Sequence, residues 1–269
     1  MLKKILAVSM AATTIISGMS VPAMAAESNQ TMVTSQEITD VSYIPEIGMT
    51  DEKALELYET YTTTHSSDMT DALNERTLEE FADYAVDNGV IDDTPVQRAA
   101  ITKAIVRAEF KTFATAGSAV GYKTAAKLLD HSLQDNPSDY SFSSSSSEAS
   151  QIKNASEFKS ILSNFKKSVK GKGLTSKRMS GSVAFTDDTD LYLAYHNMDY
   201  SIYGKKSGNT WTMTVTLTDT YDFDAQAWKN KMSRNPAVTV INNYAAYVQS
   251  IGAIVPYDIT VKVTAKVTE

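Results

Sequence analysis

Trp211, Met213, Val215 and Leu217 occupy one parity of a run whose other parity is Thr212, Thr214, Thr216, Thr218 and Thr220. A strand here buries the first set and exposes the second, and Asp219 falls on the apolar side. The preceding run, Leu191 to Tyr203, also reads as a strand, with Ser207-Gly208 at the turn between the two. That turn sets Met213 against Ile202, Val215 against Tyr200, Leu217 against Met198 and Asp219 against His196. A slip of one residue would carry Asn197, Asp199 and Ser201 into the core. The expected arrangement is therefore a carboxylate facing an imidazole at the end of a buried sheet face, Cβ atoms about 5 Å apart. With water partly excluded, such a pair serves as an oriented general base or as two metal ligands, and equally as a satisfied structural pair. Tyr221 continues on the same face, and Asp222 turns toward the threonine face or into the following loop.

The elements that would position this pair follow from periodicity. Leu55, Tyr58 and Tyr61 have helical spacing behind Thr50-Asp51-Glu52, and Thr77-x-x-Glu80 forms a capping box before Phe81, Tyr84 and Ala85. Thr94-Pro95 opens a third helix with a wide apolar stripe (Ile101, Ile105, Ala108 and Val106, Phe110, Phe113). Gly117-x-x-x-Gly121 predicts close helix packing, and the helical stretch ends at Asp135-Asn136-Pro137. Residues 136–150, with a serine run at Ser143 to Ser147, read as a linker. Asn154-x-x-Glu157 then caps a helix with the stripe Phe158, Ile161, Leu162, Phe165 and Val169, closed by Gly171. From Ser182 the period changes to two, interrupted by a helix behind Asn235-Pro236 and ending in an alternating strand from Tyr257 to Val267. The expected fold is α+β: a helical bundle over 50–135, the linker, then an antiparallel sheet packed by helices over 151–269.

Charge is distributed unevenly. From Gln151 to Arg178 there are eight bases, Lys166 and Lys167 among them, against Glu157 alone, in a chain of formal charge −7. This basic amphipathic segment is read as a solvated face or as a surface for anionic membrane or cell-wall polymer. Nucleic acid is disfavoured, because the segment has one arginine and its two aromatics lie in the apolar stripe.

Lys3 and Lys4, an apolar run from Ile5 to Val21 and Ala23-Met24-Ala25 form a signal-peptide pattern with cleavage after Ala25. Removing that segment moves the formal charge from −7 to −9. Residues 26–49 read as a flexible leader. The expected product is extracellular, and its lysine bias and lack of cysteine fit a Gram-positive source. Zero cysteines exclude a disulfide scaffold, thiolate metal sites and a cysteine nucleophile. No nucleophile elbow, zinc-protease helix, dinucleotide fingerprint or phosphate-binding loop is present. Asp187-Asp188-Thr189-Asp190 lacks the glycine and final glutamate of an EF-hand and reads as the turn leading into a strand.

Asp219-Thr220-Tyr221-Asp222 closing a long strand resembles the Asp-x-Tyr-Asp part of the colicin M signature, and the last 80 or so residues are similar to C-terminal domains of secreted toxin-like proteins of Firmicutes. The His-Arg pair that follows in that signature is absent, since Asp224 to Asn235 holds no histidine. The resemblance implies a bacteriocin-like, magnesium-assisted hydrolase of a phosphate-linked envelope precursor of the lipid II type, met by an immunity protein in its producer. It casts Asp219 as the essential acid and metal ligand, with Tyr221, Asp222 and His196 in support. Lys229, Lys231 or Arg234 would hold pyrophosphate. The alternative is a secreted, non-catalytic binding or structural module of the bacterial envelope.

Overall fold

The computed structural model describes residues 43–44, 47–65, 74–224 and 236–269. The signal-peptide pattern and most of the leader lie outside the described residues. The chain is α+β and divides into two compact units, Met1–Glu109 with Gln226–Val248 and Phe110–Ala225 with Gln249–Glu269. No helix among the described residues is long and apolar enough to cross a membrane.

In the first unit, ordered structure begins inside the expected leader. Strands β1 (Tyr43–Ile44) and β2 (Met49–Thr50) pair antiparallel, with Gly48 at φ +64° between them. Helices α1 (Asp51–His65) and α2 (Glu75–Asp87) meet through aromatic rings, Tyr58 edge-on to Phe81 at 5.2 Å. The N-cap of α2 is Asn74, whose side chain accepts from the Thr77 N–H at 2.9 Å. The cap therefore precedes the expected Thr77 box by three residues, because asparagine caps at least as well as threonine and Thr77 is free to be buried. Helix α3 (Pro95–Ala119) starts where Thr94-Pro95 places it, with the Thr94 hydroxyl accepting from Gln97 N–H.

The second unit holds the sheet. Gly121, at φ +104°, breaks the expected continuous helix, and α4 (Lys123–Ser132) follows. The serine-rich stretch is no linker: it contains β3 (Tyr140–Phe142) and the start of α5 (Ser147–Asn154), where Ser146 accepts from Ala149 N–H. Serine is a good N-cap as well as a linker residue, and the buried Phe142 and Ala149 on either side anchor the segment. Helix α6 (Ser156–Val169) buries Phe158, Ile161, Phe165 and Val169 as its stripe predicts. Strand β4 (Ser176–Ala184), helix α7 (Thr189–Tyr195), β5 (Asn197–Ser207), β6 (Thr210–Tyr221) and β7 (Tyr257–Thr268) complete this unit, and α8 (Pro236–Ser250), between β6 and β7 in the chain, belongs for most of its length to the first.

The strand order is β3-β7-β6-β5-β4. Four strands are antiparallel, but β3 runs parallel to β7, so the sheet is mixed where an antiparallel one was expected. One face is apolar throughout and forms a core with α5, α6 and α7 around Trp211, Phe165, Phe158 and Phe185. Phe165 meets Trp211 edge-on at 5.5 Å. Its ring also covers Gly204, where an added Cβ would come within 2.4 Å of the ring.

Candidate functional site

The end of the sheet where β5 starts and β6 finishes gathers the residues singled out in the sequence. Strand parity is as expected: Trp211, Met213, Val215 and Leu217 are buried, and Asp219 is half-buried on their face. The register is not. The β5–β6 turn is the two-residue Gly208-Asn209, with Gly208 at φ +56° in the position where a II′ turn takes glycine. Ile202 therefore pairs with Val215 and Asp199 with Thr218, an offset of two residues from the expected pairing. Such an offset keeps every face and changes every partner, and continuing it past Asp199 sets Asp219 beside Met198. On its other side Asp219 pairs with Ile259.

His196 is not in a strand. Asp188 caps α7, accepting from Leu191 N–H at 3.0 Å, and Leu191, Ala194 and Tyr195 supply a buried helical stripe. The same Asp-Thr-Asp cluster that reads as a turn into a strand is thus a helix start. His196 ends that helix at φ +42°, ψ −64°, close to the strained γ-turn region. Its peptide N–H donates to Tyr192 O at 3.1 Å and its carbonyl accepts from Phe185 N–H at 2.8 Å. The ring lies edge-on to Tyr192 at 4.8 Å, and Nδ1 is buried without a partner among the described residues. Burial holds the imidazole below its ordinary pKa.

Asp219 Oδ1 accepts from Thr220 N–H at 3.0 Å. Burial pushes the carboxyl up to about 7, the Thr220 N–H pulling the other way and the charges of Asp222 and Asp199 adding to the rise. Tyr221 stacks on Tyr257 at 5.4 Å and meets Phe223 edge-on at 5.4 Å, and burial holds its phenol well above the usual range. Tyr195 has a buried hydroxyl without a partner among the described residues, its pKa raised by burial and then by the charges of Glu148, Asp190 and Asp219. Asp222 is exposed beyond the strand end. Asp219 and Tyr221 are thus together, Asp222 is adjacent, and His196 belongs to a different element. Lys166 and Lys167 are exposed on the last turn of α6. Lys229, Lys231 and Arg234 lie outside the described residues.

For magnesium, the described residues hold no group of three His, Asp or Glu side chains. Asp219, with Asp222 next beyond the strand end, is the carboxylate that the described part of the site offers a cation. Sequence reasoning missed a second polar cluster. An open pocket of about 370 Å³ is lined by Gln151, Asn154, Ser156, Glu157, Asp187 and Asp188. Glu157 does not close the expected capping box. Instead its Oε1 accepts from Thr186 N–H at 2.7 Å and Asp187 N–H at 3.0 Å, which hold its carboxyl low against the effect of burial. Asp190 accepts from Thr124 N–H at 3.0 Å and Ala125 N–H at 2.8 Å, capping α4 from a distant point in the chain. The acidic spacing 187–190 was the available signal, but its partners are too remote in sequence to be read.

Comparison with known protein families, with characterised proteins and with solved structures finds no match for this chain.

Proposed function

We propose that the chain is an exported protein of a bacterial envelope whose sheet-bearing unit is a binding module without catalysis, preceded by a bundle of the N-terminal helices. The observation that carries the reading is that no hydrogen bond joins the acid to the imidazole, whose Nδ1 is buried without a partner among the described residues. Asp219 keeps its carboxyl on an apolar sheet face with one N–H donor, and His196 closes a helix with its ring against Tyr192. General-base chemistry needs those two groups within hydrogen-bond reach of one proton path. The signal-peptide pattern supports export, with a mature start at Ala26, which intact mass of the secreted product checks.

One observation favours the hydrolase reading as a second: the carboxyl of Asp219 is raised to about 7 and the charges of Asp222 and Asp199 act on it. In that reading the protein is a colicin M-like toxin acting on a lipid II-type substrate with magnesium, countered by an immunity protein. Asp219→Asn separates the two. A native carboxyl titrating near 7 against 3.8 in the unfolded chain gives stability that is complete below about pH 4 and lost as pH rises through 7. In either reading the variant is expected to melt a few degrees higher than wild type at pH 8 and alike at pH 4, so the readings part on activity. Incubation of the wild type with lipid II and magnesium is expected to release no undecaprenol. Release that Asp219→Asn abolishes, in a folded variant, would establish the hydrolase.

A further inference from the structure

Strands β4 to β7 turn their apolar parity to the helices and leave the other as one broad face. Arg178 on β4, Lys205 on β5 and Lys262 and Lys266 on β7 all project from it and are exposed. Lys205 and Lys266 stand in one cross-strand row with Thr212 between them, so their Cα atoms are about 10 Å apart across two strand spacings. Lys262 lies four residues from Lys266, about 13 Å along the strand. Arg178 sits over the ring of Tyr203 at 4.8 Å. The remaining positions of the rows that carry these cations are serine and threonine. None of the four cations is in an ion pair with a described residue. Glu269, at the same end of the sheet, is taken up by Lys206 and the Gly171 N–H. Acids enter the face only in the next row, with Asp199. A basic, hydroxylated surface is thus exposed on a chain of net charge −7.

We propose that this face docks a linear polyanion in which phosphates alternate with hydroxylated carbons, a poly(polyol phosphate) of the bacterial envelope, and this inference rests on the exported-module reading above. The phosphates complement cations set apart by whole strand and residue spacings. The serine and threonine hydroxyls, each donor and acceptor, match the hydroxyls of the polymer. A bilayer is a poorer partner, because these rows present no apolar side chain to insert beyond the ring of Tyr203. Single-stranded nucleic acid needs aromatic platforms for its bases, and Tyr203 alone, already engaged by Arg178, supplies one.

The test is calorimetric titration of the full chain with synthetic poly(glycerol phosphate), oligodeoxythymidine of equal charge and vesicles containing phosphatidylglycerol. Poly(glycerol phosphate) is expected to bind most tightly of the three, more weakly as salt rises. Lys262→Gln with Lys266→Gln is expected to weaken it by about tenfold or more, with an unchanged melting temperature. Arg178→Gln with Lys205→Gln, on other strands, should do the same, whereas Lys166→Gln with Lys167→Gln on α6 should leave it intact. Failure to bind at low salt, preference for the oligonucleotide or the vesicles, or loss only in the α6 variant would overturn the proposal. Fractionation of expressing cells judges the underlying reading separately: a chain found on the cell wall that ignores poly(glycerol phosphate) sinks the ligand and leaves the exported module standing.

Discussion

Burial sets the titration of Glu109 on α3, a carboxyl that has no cationic partner among the described residues. Its side chain is enclosed, its Oε2 accepts from the Tyr244 hydroxyl at 2.6 Å, and burial pushes its pKa up to about 8, with Tyr244 opposing and Glu59 adding to the shift. The unfolded chain would release this proton near 4.5. Between those values the native state binds more protons than the unfolded one, so stability is complete below about pH 4.5 and is lost as pH rises through 8. The loss is about 5 kcal/mol at most. Glu109→Gln keeps an acceptor for Tyr244 and removes the ionisation. Thermal melts of the variant and wild type are expected to agree near pH 5 and to separate by pH 9, the variant being more stable. A variant less stable than wild type at pH 9 would mean that Glu109 is ionised and satisfied in the native fold.

At the scale of elements, two contacts have consequences out of proportion to their size. The N-terminus of α4 has no cap of its own, since Tyr122 makes no side-chain hydrogen bond there, and two of its N–H groups depend on Asp190. Asp190→Ala is expected to cost about 1–2 kcal/mol in urea unfolding, with Asp190→Asn recovering part of it. Gly204 admits the ring of Phe165, so Gly204→Ala is expected to cost about 1–3 kcal/mol through overpacking, while Phe165→Leu in the same chain should recover some of that loss. These elements also show where sequence is legible. The faces of β6 and β7 were readable because alternation is local and every second residue repeats the statement. The pairing of β5 with β6 was not, because it depends on which two residues make the turn, and Ser207-Gly208 and Gly208-Asn209 preserve the same faces. Helix α7 was hidden in the run Leu191 to Tyr195, short enough to suit either period, although Asp188 marked its start. The site suffered most, because placing His196 required both the element and the register to be right, and a cap supplied by Asp190 across more than 60 residues leaves no local spacing to find.

In the whole molecule, the sheet is assembled from segments far apart in the chain. Tyr140 pairs with Ile259 and Phe142 with Val261, and the Tyr257 hydroxyl donates to Leu128 O at 2.8 Å, so β3 and the end of α4 are joined to β7 across well over 100 residues. The β5–β6 hairpin needs only a two-residue turn. Closing the long loop costs more chain entropy than closing the short one, and the contacts that repay it come only once β7 has found β6. Pulsed hydrogen exchange during refolding is expected to protect amides of β5 and β6 before those of β3, whereas simultaneous protection would show that the sheet condenses as one. Because β7 sits between β6 and β3, a chain emerging from its N-terminus has the other four strands of the sheet in hand before the strand that joins β3 to the rest is available. Until then β3 has no neighbour and the core lacks a wall. Losing β7 would therefore remove not one strand but the seam that holds β3 against the rest of the sheet.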